Sequence, residues 1–120
     1  MAKSAEVRVG RVYEARGDGE GARVLVDRLW PRGLAKADAD IDEWCKSVAP
    51  STELRKWYGH DPDRFEDFAG RYRAELQEGG QAEALTHLAE VHRAGPLTVL
   101  TATKQVEISA ATVLAEVLRS

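Results

Sequence analysis

The sequence predicts an α/β protein, with a small mixed sheet of three to four strands and helices packed on it in a single domain. The length of 120 residues is usual for one domain, and 43% hydrophobic residues are enough to form one core. Short aliphatic segments typical of strands are separated by longer segments with apolar residues at helical spacing. We therefore expect residues 1–120 to form one domain, with residues 1–6 as a flexible N-terminal segment.

The first two strands are predicted at residues 7–13 and 22–29. Both segments are rich in aliphatic residues, and the uninterrupted Val24-Leu25-Val26 is typical of a strand covered on both faces. The connection at residues 17–21 is glycine-rich and too short for a helical crossover. We therefore expect the two strands to form an antiparallel hairpin.

Residues 40–48 allow two interpretations. Ile41, Trp44 and Val48 fit helical spacing, but the segment is short and ends at Pro50, which also suits a strand. From the residues alone, both a strand and a helix remain open here.

Three helices, a strand and a final helix complete the predicted order. Their boundaries come from capping residues, prolines and glycines. They are a helix from Ser51 to Tyr58 stopped by Gly59, a helix opened by Asp61-Pro62 and reaching Leu76, a helix from Gly79-Gly80 to Gly95-Pro96, a strand at residues 97–101 and a helix from Val106 to Leu118. The connection from the second strand to the strand at residues 97–101 is long enough for parallel pairing.

Composition argues against several classes of function. A formal net charge of −3 argues against a broad nucleic-acid surface, and a single cysteine argues against a disulfide scaffold or a cysteine-rich zinc site. No apolar run could span a membrane, and the polar start favours the cytoplasm. Nucleotide-binding glycine motifs and metal-ligand spacings are missing from the sequence, so we expect no cofactor and no metal. No pattern indicates an oligomeric state.

Two loops are expected to form a site, because ligands of such sheets collect beyond the carboxyl ends of parallel strands. The first loop, residues 27–33, reads Asp-Arg-Leu-Trp-Pro-Arg-Gly, and the second, residues 102–105, carries Lys104 before the final helix. Guanidinium and ammonium groups at these positions favour a phosphate or carboxylate. The predicted partner is therefore a small anionic molecule, and Lys104 is a candidate ligand contact.

Arg28, Trp30, Arg32 and Arg55 are the other candidate ligand contacts. Each has an alternative interpretation. Trp30 also fits a core position beneath its loop, and Arg28 and Arg32 also fit a solvated surface. Arg55 could extend a positive wall, or face water from a short amphipathic helix.

Asp27 and His60 are the candidate proton-transfer residues. Asp27 follows the second strand, where it could act as a base or brace the loop by pairing with Arg28 or Arg32. His60 lies in a short joint between two helices, where an exposed imidazole could titrate. Cys45 fits a small buried hydrophobic residue better than a nucleophile.

Three segments together resemble the YeaO-like branch of the domain of unknown function 488 family. They are residues 24–33 (VLVDRLWPRG), 49–57 (APSTELRKW) and 71–76 (RYRAEL), within a resemblance that extends from about Val7 to Leu118. The resemblance implies a small cytoplasmic bacterial α/β domain with no settled activity. It also favours a strand at residues 41–48.

One departure from the family pattern falls close to the second loop. Members of the family tend to carry an Asn-His pair where this chain has Ser109-Ala110, and a related branch carries a cysteine near Thr101. Two functions therefore stay open. One is an enzyme that acts on a small anionic metabolite, and the other is a noncatalytic module that senses a ligand or docks onto a partner.

Overall fold

The computed structural model describes residues 7–119, so the expectation for residues 1–6 lies outside the described residues. The predicted α/β class is confirmed. The strands and helices follow in the order β1 (Val7–Arg11), β2 (Ala22–Leu25), β3 (Glu43–Trp44), α1 (Thr52–Tyr58), α2 (Phe65–Glu75), α3 (Gly79–Ala94), β4 (Leu97–Thr101) and α4 (Ala110–Arg119).

The strands form one sheet in the order β1-β4-β2-β3, and each neighbouring pair is parallel. The predicted antiparallel hairpin of the first two strands is wrong, and the sheet is parallel rather than mixed across the described residues. β4 lies between β1 and β2, so that Val99 pairs with Val9 on one side and with Val24 on the other. The predicted parallel pairing of β2 with β4 is confirmed.

Residues 12–21, called here the crossover loop, return the chain from the end of β1 to the start of β2 without a helix. Arg23 of β2 donates from Nη2 to the Glu14 carbonyl at 2.6 Å and forms a salt bridge with Glu20 at 3.2 Å. Thr98 of β4 donates from Oγ1 to the Glu20 carbonyl at 3.0 Å. Parallel strands usually need a connection of about a dozen residues or more. Here the connection is shorter, and Arg23 of β2 and Thr98 of β4 hold it in place through these contacts.

The two faces of the sheet bury different partners, because side chains alternate along each strand. Val24, Leu97 and Val99 belong to the larger core, which includes residues of all four helices. Leu25 and Leu100 point to the opposite face and form a smaller core with side chains from the loops and β3. The helices therefore pack on one face, and loops cover the other.

Residues 40–48 contain the short strand β3 followed by a 3₁₀ turn at Lys46–Val48, which confirms the strand interpretation. The Trp44 indole donates to the Asp27 carbonyl at 2.8 Å and so joins β3 to the segment after β2. Cys45 is buried, and burial raises the pKa of its thiol. Both properties agree with a packing role for this cysteine.

The helices begin and end close to the predicted positions. The Ser51 hydroxyl accepts a hydrogen bond from the Leu54 amide at 3.1 Å and caps α1, which Gly59 ends with a left-handed φ of 53°. α4 begins at Ala110 rather than at Val106, because a 3₁₀ turn precedes it. Within residues 7–119, no helix combines the length and the apolar character needed to cross a bilayer.

Candidate functional site

The carboxyl ends of β2 and β4 open into a cavity of about 570 Å³. These strands are parallel neighbours, so the segments that follow them leave the same edge of the sheet. Residues 26–32 and 101–103 line the cavity together with part of α1. The two loops that the sequence predicted to share a site therefore meet at this cavity.

The floor of the cavity is apolar and tightly packed. Val26, Ala49, Tyr58 and Phe68 line it, and none of them is more than 4% exposed. The rings of Tyr58 and Phe68 stack with their centroids 4.1 Å apart, and the Tyr58 hydroxyl donates to the Ile108 carbonyl at 2.6 Å. A ligand would therefore meet a preformed surface rather than a flexible one.

Asp27 lies half-buried just beyond β2. Its Oδ2 accepts a hydrogen bond from the Ala102 amide at 2.8 Å, which joins the two loops. Burial raises the pKa of the Asp27 carboxyl, and the Ala102 amide, the Thr101 hydroxyl and the nearby Arg55 oppose only part of that rise. Asp27 braces the site through a backbone amide, and its raised pKa also suits proton transfer.

We expect Asp27→Asn to gain stability relative to the wild-type protein as the pH rises. Because burial raises the pKa of Asp27 in the folded state, folding favours the protonated carboxyl. The associated stabilisation is present below the unfolded pKa, near 3.8, and is lost as the pH rises through the folded pKa. Asparagine does not ionise, so the difference in Tm between variant and wild type should increase over this interval.

Thermal unfolding followed by circular dichroism between about pH 4 and pH 8 measures that difference. Asp63→Asn is a matched control, since Asp63 is exposed and does not line the cavity. A difference for Asp27→Asn that stays constant with pH, or that falls as the pH rises, would show that the Asp27 pKa is not raised by folding.

The guanidinium of Arg28 forms hydrogen bonds with backbone carbonyls of the fold. Its Nε and Nη2 donate to the Pro50 carbonyl at 3.3 and 3.2 Å, and Nη2 also lies 3.5 Å from the Ala49 carbonyl. These bonds hold the loop after β2 against the segment that precedes α1. Arg28 still contributes positive charge to the cavity lining, but part of its donor capacity is occupied.

Trp30 and Arg32 differ in whether their side chains form hydrogen bonds within the fold. The Trp30 indole donates to the Leu34 carbonyl at 2.6 Å and packs edge-on against Trp44, so it takes the core position while also lining the cavity. Arg32 is exposed, and its backbone carbonyl accepts a hydrogen bond from the Tyr13 hydroxyl at 3.2 Å. Its guanidinium makes no hydrogen bond or salt bridge within residues 7–119.

Arg55 and Lys56 bring two further cations to the cavity from the last turn of α1. Arg55 is half-buried and Lys56 is exposed. In the part of the chain that the structure describes, neither side chain forms a hydrogen bond or a salt bridge. Arg55 therefore lines the cavity, which agrees with the alternative in which it extends a positive wall. Its role as a ligand contact stays a prediction.

His60 lines the edge of the cavity in a strained conformation. Its φ of 57° is left-handed, which costs a residue other than glycine about 1 kcal/mol. The imidazole lies 5.8 Å from the Tyr58 ring, measured between centroids, and is exposed. Strained residues cluster at functional sites, so this geometry favours the choice of His60 as a site residue.

Lys104 is exposed and is not among the residues that line the cavity. Ala102 and Thr103, the two residues before it, do line the cavity. The assignment of Lys104 as a ligand contact stays a prediction from the sequence.

Ser109 and Ala110 also line the cavity, at the start of α4. Ser109 is only 2% exposed, its hydroxyl donates to the Val106 carbonyl at 2.6 Å, and it accepts a hydrogen bond from the Thr112 amide at 3.3 Å. The position at which the resemblance implies an Asn-His pair therefore falls within the site. The Ser109 hydroxyl already forms hydrogen bonds at the start of α4.

Positive charge predominates in the cavity lining, although the chain has a formal net charge of −3. Arg28, Arg32, Arg55 and Lys56 line it, and Asp27 is the acidic residue among the described residues that do so. Among residues 7–119, no group of three or more His, Cys, Asp or Glu side chains is placed to hold a metal ion. The electrostatics of the cavity thus suit an anion.

The sequence alone did not identify the floor of the cavity. The floor residues Ala49, Tyr58 and Phe68 lie outside the two loops at residues 27–33 and 102–105. Their spacing in the sequence indicates only that they are core residues. The Ala49-Pro50 segment before the Ser51 cap is the one local signal, since loops at helix starts often carry site residues.

Comparison with known proteins gives one family and several uncharacterised relatives. A family model described as the inactive DUF488-N3 subclade matches residues 6–120. Uncharacterised proteins of Mycobacterium tuberculosis and Mycobacterium bovis are each 48% identical to this chain over 118 residues, which cover 98% of both chains compared. The uncharacterised protein YeaO of Escherichia coli is 43% identical over 110 residues, which cover 92% of this chain and 94% of YeaO. No solved structure matches.

Proposed function

Because this chain belongs to the DUF488 family, within the group described as the inactive DUF488-N3 subclade, we propose that it binds a small phosphate- or carboxylate-bearing molecule without converting it. The family resemblance of residues 24–33, 49–57 and 71–76 is confirmed by the family match and by the similarity to YeaO. The relatives are themselves uncharacterised, so the proposal rests on the cavity.

The observation that supports this proposal most is the set of uncommitted cations around the cavity. Arg32, Arg55 and Lys56 line it, and within residues 7–119 their side chains form no hydrogen bond or salt bridge. Cationic side chains on a solvated surface are common, but the half-buried guanidinium of Arg55 loses hydration without gaining a hydrogen-bonding partner, since it attracts the Asp27 carboxyl only from beyond salt-bridge distance. A bound anion would supply that partner through charge-assisted hydrogen bonds.

Binding without conversion agrees with the side chains that the cavity lacks. Among the described lining residues there is no cysteine, and the Ser109 hydroxyl already donates to Val106 and accepts from Thr112. Covalent catalysis needs an accessible nucleophile held beside a base. Ser109 has backbone partners instead, and Thr101, whose hydroxyl forms a hydrogen bond with Asp27, is only 3% exposed. The description of the family subclade as inactive points the same way.

An enzyme acting on a small anionic metabolite is the second candidate. Asp27 favours it, because burial raises the pKa of this carboxyl at the cavity, and so does the strained His60 at the edge. The two candidates differ in the fate of the ligand. A bound phosphate ester recovered unchanged after long incubation with the protein supports sensing, whereas release of inorganic phosphate supports an enzyme.

Arg55→Ala is expected to weaken the binding of inorganic phosphate by about tenfold or more. The substitution removes a charge-assisted donor from the wall of the cavity, and each such bond is worth about 1.5–3 kcal/mol. Titration calorimetry, or chemical-shift titration of the ¹⁵N-labelled protein, gives the two dissociation constants.

Arg93→Ala is the matched control, since Arg93 is an exposed arginine at the end of α3 and does not line the cavity. It removes the same formal charge and should leave phosphate affinity nearly unchanged. An equal loss in both variants would mean that phosphate responds to overall charge rather than to this cavity. Failure of phosphate and of simple carboxylates to bind the wild-type protein at all would refute the proposed function.

A further inference from the structure

The cations that line the cavity are more exposed than the apolar residues of its floor. Val26 and Phe68, both at the floor, are 2% exposed. Arg32 and Lys56, which are exposed, and Arg55, which is half-buried, form what is called here the rim. An anion can therefore reach most of the positive charge only near the opening.

The floor is unfavourable for an anion for a second reason. Asp27 is half-buried beside it, and an ionised ligand placed deep in the cavity would face this carboxyl and apolar side chains. Burying a charge against such a surface costs several kcal/mol unless the charge is paired. Of the cations that could pair with such a ligand, Arg32 and Lys56 are exposed, and Arg55, which lies near Asp27, is half-buried.

The size of the cavity also exceeds what a simple anion needs. Its volume of about 570 Å³ lies within the range typical of sites for whole small molecules. Leu29 also lines the cavity, is 66% exposed, and adds apolar surface there. A ligand that also had an apolar part would cover both Leu29 and the floor.

We infer that the ligand is an amphipathic anion, with a flat apolar body on the Val26 and Phe68 floor and its phosphate or carboxylate at the rim between Arg32, Arg55 and Lys56. The inference rests on the proposed function and specifies its ligand class and orientation. Tyr58 and Phe68 add two aromatic side chains to the apolar lining on which such a body would lie.

The test compares inorganic phosphate with phenyl phosphate as probes of the wild-type protein. Phenyl phosphate should bind about tenfold to a hundredfold more tightly, because its ring would be removed from water on the floor. Intermolecular NOEs should connect the phenyl protons to the Val26 methyl groups and the Phe68 ring. This measurement needs no variant and reports the orientation directly.

Ala110→Leu is the companion variant. Ala110 lines the cavity at the start of α4, and a larger side chain there should fill space that the phenyl ring would occupy. The advantage of phenyl phosphate over inorganic phosphate should disappear, while the affinity for inorganic phosphate should change little. Arg55→Ala should weaken both probes by similar factors. Circular dichroism and Tm establish that each variant is folded.

The outcomes separate this inference from the proposed function. Equal affinities for the two probes, both reduced by Arg55→Ala, would overturn the amphipathic ligand and leave anion binding standing. NOEs that place the phenyl ring outside the cavity would also overturn it. If neither probe nor a simple carboxylate binds saturably, the proposed function and this inference both fall.

Discussion

Replacing Gly21 by alanine is expected to cost about 4 kcal/mol or more of the free energy of unfolding, one of the largest effects available in this chain. Gly21 is the last residue of the crossover loop and has a left-handed φ of 66°. A Cβ at this position would overlap the Pro96 carbonyl, which accepts the hydrogen bond from the Ala22 amide at 3.0 Å. The clash is with backbone, so it can be relieved only by moving the start of β2 away from β4.

Gly19→Ala separates this clash from the cost of the left-handed conformation. Gly19 belongs to the same loop and has a φ of 78°, but its added Cβ would meet only the Arg8 guanidinium, at 3.4 Å. We expect about 1–2 kcal/mol for Gly19→Ala, the usual cost of a left-handed residue with a Cβ. Urea unfolding of both variants gives the comparison. Equal losses would mean that the approach of Gly21 to Pro96 has no energetic consequence.

Arg23→Ala is expected to destabilise the protein by about 3–5 kcal/mol. Arg23 is 1% exposed, although it is charged and lies in a central strand. Its removal leaves Glu20 without its salt-bridge partner and the Glu14 carbonyl without its donor, both on the crossover loop. Denaturant unfolding measures the loss, and proteolysis within residues 12–21 should become faster as the loop is released.

Arg8→Ala provides the control for Arg23→Ala. Arg8 lies on the same face of the sheet and donates to the Asp18 carbonyl of the same loop at 3.3 Å, but it is exposed. Exposed charged contacts contribute about 0–1 kcal/mol. Combining Arg23→Met with Glu20→Gln should recover part of the loss, because no unpaired charge remains. A loss for Arg23→Ala no greater than that for Arg8→Ala would show that burial of the arginine does not matter.

Both substitutions act on the segment where the sequence was misleading. The glycine-rich residues 17–21 between two short strands are typical of a hairpin, and each local rule favours antiparallel pairing. The deciding interactions are not local. β4 enters between β1 and β2 from far along the chain, and Arg23 and Thr98 supply the contacts that hold the crossover loop. The sequence shows Arg23 only as an arginine within an aliphatic segment, and its burial against polar backbone is visible only in the structure.

Part of the candidate site could be predicted from the sequence, and part could not. Residues 27–33 and the end of β4 could be assigned from the sequence, because parallel strands direct their carboxyl ends to one edge of the sheet. The structure brings Asp27, Arg28, Trp30, Arg32, Arg55 and His60 to one cavity. The apolar floor could not be assigned, because Phe68 and Tyr58 follow the same helical spacing whether they border a cavity or fill a core.

The sequence by itself determined the α/β class, the helix limits at Ser51 and Gly59, and the strand ends from which the site residues extend, because periodicity and capping depend on neighbours a few residues away. Only the tertiary structure decided the strand order, the parallel path of residues 12–21 and the depth at which each charge lies. These depend on contacts between distant segments, such as Gly21 with Pro96 and Asp27 with Ala102. Burial distinguishes the exposed Arg32 from the half-buried Arg55, and no local pattern encodes it.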